Sequence, residues 1–220
     1  MTLLCDSDAY ARPIAAPLPS LGTDDWSRRL IAPEPETLPA IRVLFAGGGT
    51  GGHLYPAIAV ARALGELAPG SEVLFVGSER PLERKILAGA EQAHRALPTA
   101  PWRGLRGAPS FAWQQARGLV ASWRLLGEWR PDVVVGLGGF PSLGPALAAR
   151  MRGIPLALFE PNASAGKANK LLSRLAREAY VHFAETELGC MRVDTGTPVD
   201  ERSLPGRALT QASARAALGL

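Results

Sequence analysis

A glycine-rich stretch between a strand pattern and a helix pattern is the strongest constraint in this sequence. Residues 41–46 form a short apolar run rich in strand formers, and residues 47–52 read Gly-Gly-Gly-Thr-Gly-Gly. From residue 56 to residue 68 apolar side chains recur at helical spacing, with Pro56 expected in the first helical turn. A strand, a tight turn and a helix in this order are typical of a parallel sheet, where such turns bind ligands. Glycines let the backbone approach a phosphate, and the helix N-terminus offers free N–H groups.

The rest of the folded region alternates between the same two patterns. Further strands are predicted near residues 72–76, 94–97, 133–137, 156–160, 179–182 and 191–194, and further helices at residues 81–88, 111–129, 143–150, 167–176 and 210–220. Near-continuous apolar strands between helices indicate a parallel sheet covered on both faces. The sequence therefore predicts an α/β fold, a doubly wound parallel sheet of Rossmann-like type, over residues 41–199.

Composition and charge limit what else the chain can be. Of its 220 residues 47% are hydrophobic and 20% charged, which excludes a largely disordered protein. Residues 1–40 hold six prolines without apolar periodicity, so a disordered or loosely packed extension is predicted there. That extension carries six acidic and three basic side chains, which leaves 14 acidic and 21 basic side chains in residues 41–220. A basic body favours an anionic partner.

Several other classes of protein are not expected from this sequence. Its apolar runs are far shorter than the ~18 residues that cross a membrane, and Asp6 and Asp8 argue against a secretory signal. Two cysteines do not make a disulfide framework, so a reduced cytoplasmic setting is expected. The only Asp-x-Asp pattern is Asp6-Ser-Asp8, far from any strand end, so neither a metal ion nor another cofactor is expected.

A second glycine turn follows the apolar strand at residues 133–137. Residues 136–142 read Gly-Leu-Gly-Gly-Phe-Pro-Ser and precede another helix pattern, so this turn is expected at the same sheet edge as the first. Two such turns suggest a ligand with a pyrophosphate, or two phosphorylated substrates. The alternative is that these glycines serve only close packing of helix against strand.

Three polar residues add candidate chemistry at this edge. His53 directly follows the first glycine turn, where the helix dipole disfavours its protonation and leaves a neutral imidazole usable as a base. Glu160 and Asn162 end the strand at residues 156–160, where they suit recognition of hydroxyl or amide groups. A purely structural histidine, and a turn or cap role for Asn162, are the alternatives.

Together these features resemble the bacterial peptidoglycan glycosyltransferases that make lipid II, in glycosyltransferase family 28. The resemblance covers about residues 41–199. It is carried by the first turn (GGTGGH, residues 48–53) with Pro56, and then by GLRG at residues 104–107, RPDVVVG at residues 130–136, Gly138-Gly139, GIP at residues 153–155, Asn162 and Asn169-Lys170.

The resemblance implies a GT-B fold, of which this chain supplies the N-terminal, acceptor-binding half. It implies inverting transfer of N-acetylglucosamine from UDP-N-acetylglucosamine to undecaprenyl-pyrophosphoryl-N-acetylmuramoyl-pentapeptide. The glycine turns would hold the acceptor pyrophosphate, and His53 would help deprotonate the acceptor hydroxyl. The donor contacts implied are Thr50, Gly51, Gly52 and Asn162, and the other candidate substrate-binding residues are Gly138, Gly139, Phe140, Ser142 and Glu160.

This sequence also departs from the family pattern. Phe159-Glu160-Pro161-Asn162 stands where the family usually reads His-Glu-Gln-Asn, Phe140 replaces a tyrosine, and Leu143 lies near a usual glycine. The closing pattern Gly-Asn-Pro-Val-Arg appears as residues 196–200, Gly-Thr-Pro-Val-Asp. Asp200 cannot replace an arginine that meets donor phosphate. Residues 200–220 are predicted to be a connector toward a missing C-terminal donor-binding domain, without which the chain is expected to be inactive.

A basic and aromatic segment predicts contact with a membrane surface. The candidate contact residues are Trp102, Arg103, Leu105, Arg106, Phe111 and Trp113. Tryptophan with arginine is typical of an interfacial contact, and an undecaprenyl-linked acceptor lies at a bilayer. The expected location is therefore peripheral, on the anionic cytoplasmic face of the bacterial inner membrane. In the helix that follows, core packing accounts for much of one apolar face, formed by Ala112, Ala116, Leu119, Val120, Trp123 and Leu126.

Two other functions remain open at this point. The first is that of a non-catalytic subunit, which binds lipid pyrophosphate and recruits a separate donor-binding chain. Gly47, Gly49 and Gly52 also satisfy the dinucleotide fingerprint of a nicotinamide-dependent oxidoreductase. That fingerprint lacks its acidic partner, because Glu79 comes late after the second strand. No nucleic-acid partner is expected, since the sequence contains no recognisable binding module.

Overall fold

Seven strands and five helices alternate along the part of the chain that the computed structural model describes, residues 38–48, 51–100, 104–199 and Arg215. In chain order they are β1 (Arg42–Gly47), α1 (Gly51–Leu67), β2 (Glu72–Gly77), α2 (Pro81–Gly89), β3 (His94–Ala96), α3 (Ala108–Trp129), β4 (Val133–Gly138), α4 (Leu143–Met151), β5 (Leu156–Glu160), α5 (Lys167–Leu172), β6 (Glu178–Val181) and β7 (Met191–Asp194). Short 3-10 turns at Leu105–Gly107 and Phe140–Ser142 precede α3 and α4.

The strands form one parallel sheet in the order β3-β2-β1-β4-β5-β6-β7. The chain builds outward from β1 to β3, and α3 then crosses back so that β4 pairs with the other side of β1. The strand order therefore reverses between β1 and β4, which is where open α/β sheets bind their ligands. The predicted doubly wound parallel sheet is confirmed.

Alternate residues of the strands fill two cores on opposite faces of the sheet. Val43 and Phe45 of β1 pack with apolar side chains of α1 and α2. Leu44 and Ala46 pack on the other face with α3, α4 and α5. Both faces of β1 are thus buried, because helices cover it on each side, and this explains why its sequence is apolar without alternation.

Helices α3 and α4 approach each other through their smallest residues. Gly118 and Ser122 of α3 are buried, and a Cβ placed on Gly144 of α4 would lie 3.0 Å from the Gly118 carbonyl carbon and from the Ser122 Oγ. A Cβ at Gly118 itself would collide with the backbone carbonyl oxygen of Pro98. The absence of side chains at both glycines therefore sets the separation of the helices.

This close approach corrects the predicted core face of α3. Val120 is 52% exposed and Trp123 is 39% exposed, although both were expected in the packed stripe. The buried face consists of Gly118, Ser122, Leu125 and Leu126. Periodicity favoured the most apolar stripe, whereas packing selected the face with small residues that lets the α3 backbone reach α4.

Two predicted helix ends also move. Gly51, Gly52 and His53 form the first turn of α1, so Pro56 is the sixth residue of the helix and not part of its first turn. The missing Pro56 N–H removes one hydrogen bond, to the Gly52 carbonyl. Helix α5 was expected to reach residue 176 but ends at Leu172. Beyond it the Ser173 hydroxyl donates to the Lys170 carbonyl oxygen (2.9 Å) and accepts the Gly189 N–H (2.9 Å).

The predicted flanking segments lie largely outside the described residues. Of the N-terminal extension, residues 38–40 are described; they are exposed, and the Leu38 N–H donates to the Leu67 carbonyl oxygen over 3.0 Å. Of the predicted connector, residues 200–220, the structure describes Arg215 alone. The domain boundaries at residues 40 and 199 stay predictions.

The contact between α3 and the Pro98 carbonyl predicts opposite effects for two glycine-to-alanine changes. Gly118→Ala should lower the free energy of unfolding by about 1–3 kcal/mol, because backbone must move to admit the methyl group. Gly65→Ala should raise it by about 0.5–1 kcal/mol, because no atom lies within 4 Å of the new Cβ and alanine favours the helix. Urea denaturation measures both; equal effects would contradict this account of the α3 packing.

Candidate functional site

The two glycine turns meet backbone to backbone at the crossover of the sheet. Gly47 ends β1 and pairs with Gly138 at the end of β4, and the register of the two strands shifts at this point. A Cβ on Gly47 would collide with the Gly138 carbonyl oxygen, while the Gly48 N–H donates to that oxygen over 3.4 Å. A Cβ on Gly139 would lie 3.2 Å from the Gly48 carbonyl oxygen. The described parts of the two predicted glycine turns, Gly47-Gly48 and Gly138-Gly139, are therefore in backbone contact.

Helix α1 presents its N-terminus next to this surface. Gly51 and Gly52 open the helix, and its first turn contains no acidic residue. The first N–H groups of a helix have no partner within the helix, and the dipole places partial positive charge there. Anions are stabilised at such a position. Thr50, the other predicted substrate contact in this turn, lies outside the described residues.

His53 is the third residue of α1 and is half-buried. Burial lowers the pKa of its imidazole below the ordinary value, and the negative charge of Glu160 opposes this more weakly. A low pKa was predicted from the helix dipole, whereas desolvation is the leading cause here. A neutral imidazole at neutral pH is able to accept a proton, as general-base chemistry requires.

Glu160 organises the polar residues at the end of β5. Its fully buried carboxylate accepts hydrogen bonds from the Asn162 N–H (3.1 Å) and side-chain amide (2.7 Å) through Oε1. Through Oε2 it accepts from the Gly166 N–H (2.9 Å) and the Asn169 side-chain amide (3.1 Å). Four donors compensate the loss of water around this charge. The carboxylate thus fixes the turn that carries Asn162, which is exposed.

Asn169 belongs to this cluster although the sequence argument did not place it in the site. Its amide also donates to the Phe159 carbonyl oxygen (3.0 Å), and a Cβ on Gly138 would lie 3.2 Å from the same amide nitrogen. The side chain therefore connects the end of β5 to the second glycine turn. Its fully buried Oδ1 has no hydrogen-bond partner in the structure. The family motif Asn169-Lys170 was the available signal in the sequence.

The second glycine turn is fixed by its own side chains. The buried Ser142 hydroxyl donates to the Gly139 carbonyl oxygen over 2.7 Å. The Phe140 ring meets the edge of Phe111, with ring centroids 5.3 Å apart. Because Phe111 lies in the first turns of α3, this contact joins the site to the predicted membrane-contact segment.

The remaining predicted membrane-contact residues are placed unevenly. Arg106 is exposed, and Trp113 is 66% exposed on α3. Leu105 lies in the 3-10 turn before α3, whereas Trp102 and Arg103 lie outside the described residues. None of the helices in the described part is both long and apolar enough to cross a bilayer. Within the same residues, no three His, Cys, Asp or Glu side chains converge as they would around a metal ion.

An apolar cavity of about 510 Å³ lies away from the glycine turns, on the α1 face of the sheet. Its walls include Phe45, Val135 and Phe159, together with Tyr180. Burial and the neighbouring Glu178 carboxylate raise the pKa of the Tyr180 phenol to about 12, so this group stays neutral. The walls are mainly apolar side chains of the strands and of α1, among them Pro56 and Val60, and include neither glycine turn, so this cavity does not suit a phosphate. The glycine turns remain the candidate site.

Fold and site together define a class: a doubly wound α/β domain with two glycine turns at the crossover of its sheet. Residues 43–181 match the glycosyltransferase family 28 N-terminal domain. The chain belongs to this family, as its motifs predicted.

Curated relatives agree with this assignment. The UDP-N-acetylglucosamine–N-acetylmuramyl-(pentapeptide) pyrophosphoryl-undecaprenol N-acetylglucosamine transferase of Moorella thermoacetica is 41% identical over 169 residues, which cover 72% of this chain and 44% of the relative. The enzyme of the same name from Salinibacter ruber is 41% identical over 151 residues, which cover 67% and 40%. The chain thus spans less than half the length of these relatives.

Solved structures place the fold among GT-B glycosyltransferases. The crystal structure of Acinetobacter baumannii MurG matches with a TM-score of 0.62 and 27% identity, over 74% of this chain and 47% of that one. Phytolacca americana UGT2 matches with a TM-score of 0.51 at 13% identity, over 74% and 55%, which is a likeness of fold alone. The predicted fold, that of the N-terminal half of a GT-B glycosyltransferase, is confirmed.

The lowered pKa of His53 predicts a pH dependence of stability. Between the native pKa and the ordinary value of about 6.5 the unfolded chain binds the proton more readily, so the free energy of unfolding decreases as the pH falls through this range. A His53→Gln variant lacks the group and should lose less stability between about pH 7.5 and about pH 5.5. Urea denaturation at both pH values measures the difference; identical losses in the two proteins would contradict the lowered pKa.

Proposed function

We propose that this chain is the acceptor-binding half of an inverting N-acetylglucosaminyltransferase that forms lipid II. The donor is UDP-N-acetylglucosamine, and the acceptor is undecaprenyl-pyrophosphoryl-N-acetylmuramoyl-pentapeptide. One observation carries the proposal: two glycine turns, a helix N-terminus and a half-buried histidine meet at the crossover of the sheet. The names of the Moorella and Salinibacter relatives, which describe this reaction, support it.

The acceptor pyrophosphate binds at the surface formed by the glycine turns. Backbone N–H groups and the positive end of α1 stabilise a diphosphate without any lysine or arginine at the turn. Gly138 and Gly139 admit the ligand because they carry no side chains, and Ser142 and Phe140 keep their turn in place. The donor is held on the far side of the cleft and is contacted across it by Thr50, Gly51, Gly52 and Asn162.

His53 takes the proton from the attacking acceptor hydroxyl. As that oxygen forms its bond to the anomeric carbon of N-acetylglucosamine, the bond to UDP breaks on the opposite face of the sugar, which inverts the centre. The proton passes to the imidazole, whose lowered pKa leaves it neutral beforehand. Glu160 lies close enough to influence that pKa, and its negative charge stabilises the imidazolium that results. A donor-binding domain or chain holds UDP.

Ligand binding by the chain alone tests the assignment of the acceptor half. We expect the undecaprenyl-pyrophosphoryl acceptor, in detergent micelles, to bind at least about tenfold more tightly than undecaprenyl monophosphate, because only the diphosphate spans both glycine turns. Isothermal titration calorimetry measures both affinities. Equal affinities would overturn the pyrophosphate site, and binding of NAD or NADP in its place would favour the oxidoreductase alternative.

The role of His53 is tested by turnover with a donor-binding half supplied. The chain is mixed with the separately produced donor-binding half of the Moorella thermoacetica relative, and transfer of labelled N-acetylglucosamine to the acceptor is followed. His53→Ala should lower kcat by about 10²–10⁴-fold, as expected for a lost general base, while acceptor affinity changes little. Unimpaired turnover by the variant would remove His53 from the chemistry and favour a non-catalytic recruiting subunit.

The chain works at the anionic, cytoplasmic face of the bacterial inner membrane as a peripheral protein. Support comes from one face of α3, where Trp113 and Val120 are exposed beside Arg117 and Arg124 around a shallow groove of about 350 Å³. Exposed tryptophan and arginine on one helix face suit the boundary between headgroups and acyl chains. Phe111 at the start of this helix touches Phe140 of the second glycine turn, so a lipid-linked acceptor bound there would lie near this face.

Vesicle binding tests this membrane contact. Substitution of three residues by serine should abolish most binding to vesicles that contain phosphatidylglycerol, and the wild-type binding should weaken at high salt. The three residues are Trp113, Arg117 and Arg124. Sedimentation with vesicles measures the bound fraction.

A matched control removes the same charge and one exposed apolar side chain elsewhere. Its serine substitutions are at Arg84, Arg95 and Met191, all of which are exposed. This control should bind vesicles like the wild type. Equal losses in both triple variants would show that net charge, and not the α3 face, governs binding.

A further inference from the structure

A buried carboxylate lies behind the first glycine turn and takes no part in the chemistry proposed above. Glu83, in the first turn of α2, is 1% exposed. Among the described residues the one salt bridge joins Arg42 to Glu72, so Glu83 is not compensated by a salt-bridge partner there. Burying a carboxylate without compensation costs several kcal/mol or more. Its presence therefore requires an account.

Ser78 supplies the compensation. Its N–H donates to the Glu83 Oε2 over 2.7 Å, and its hydroxyl donates to Oε1 over 2.9 Å, so each carboxylate oxygen has a donor. Ser78 directly follows β2, and Glu83 sits at the N-terminal end of α2, whose dipole favours a negative charge. The pair locks the start of α2 onto the end of β2. Both carboxylate oxygens are bonded to Ser78.

The same carboxylate lies against the glycine turn that follows β1. A Cβ on Gly48 would be 3.4 Å from both the Cδ and the Oε1 of Glu83, and a Cβ on Gly77 would be 2.5 Å from Oε2. Gly48 has a φ of +144°, which side-chain-bearing residues rarely adopt. On its other side, Gly48 donates its N–H to the Gly138 carbonyl oxygen. One methyl group would fill the space between Gly48 and the carboxylate, so Gly48 lies between Glu83 and the Gly138 carbonyl oxygen.

We infer that Glu83 is a positioning residue. Together with Ser78 it fixes the position of Gly48 relative to Gly138, so that both glycine turns are able to bind one diphosphate. Because Glu83 lies within one methyl group of Gly48 and both its oxygens are bonded to Ser78, it acts through the turn. Displacement of the carboxylate frees Gly48 to move toward α2 and away from Gly138, which separates the two halves of the backbone surface. This inference rests on the proposed function, since it concerns the same pyrophosphate site.

The test compares acceptor affinity with fold stability in the full chain. Glu83→Gln keeps the shape of the side chain but puts an amide N–H₂ group against one of the two Ser78 donors. We expect it to bind the undecaprenyl-pyrophosphoryl acceptor about tenfold more weakly, as one lost charge-assisted hydrogen bond implies, at a temperature where circular dichroism shows it folded. Glu79→Gln, an exposed change of the same kind in the same connection, should bind like the wild type.

Two changes at Ser78 keep the inference falsifiable if Glu83→Gln does not fold. Ser78→Ala removes the hydroxyl donor and should weaken acceptor binding several-fold. Ser78→Thr retains the hydroxyl and should bind the acceptor like the wild type. A purely structural role for the pair would lower Tm in the variants and leave the affinity of the folded protein unchanged, which would overturn the inference.

The two proposals fail in different ways. If the wild-type chain does not bind the acceptor, the proposed function fails. If the wild type binds and the Glu83 and Ser78 variants bind equally well, the assignment of Glu83 alone is wrong.

Discussion

The site depends on one contact, the meeting of two backbones where β1 and β4 end side by side. Gly47 and Gly138 are neighbours because the strand order reverses there, and they touch because Gly47 carries no side chain to meet the Gly138 carbonyl oxygen. A parallel sheet sends all its strand ends to one edge, but only at the reversal do the following segments leave in opposite directions and open a crevice. The fold therefore creates the crevice. Because glycines line its base, backbone peptide groups and not side chains are present there.

A second feature is shared by the two sides of this crevice. On each side a fully buried glutamate holds the turn from behind: Glu160 at the end of β5, and Glu83 beside the end of β2. Glu160 accepts hydrogen bonds from backbone and amide N–H groups, and Glu83 accepts one from the Ser78 N–H and one from the Ser78 hydroxyl, so both carboxylates are hydrogen-bonded inside the protein. Carboxylates are suited to this task because each has two oxygens that accept several donors at once.

The strands and the glycine turns could be predicted from the sequence because their signals are local. The bounds of β5 and β7 coincide with the predicted ones, since continuous apolar runs closed by polar or glycine residues leave little ambiguity. The buried face of α3 could not be predicted, because Gly118 and Ser122 carry no hydrophobic signal and their value appears only when α4 is in place. The role of Glu83 was hidden for the same reason: its partner Ser78 is near in sequence, but Gly48 belongs to another strand end.

The backbone contact between Gly47 and Gly138 also limits which substitutions this fold tolerates. A side chain at Gly47 would collide with the carbonyl oxygen of Gly138. Because this oxygen belongs to the main chain, a second substitution does not remove it. Ordinary core positions can exchange volume with a neighbour, so a large residue here is balanced by a small one there. This pair lacks that freedom. A side chain at Gly47 is therefore not accommodated by any change of side chain at Gly138, because the obstacle is the main chain of Gly138.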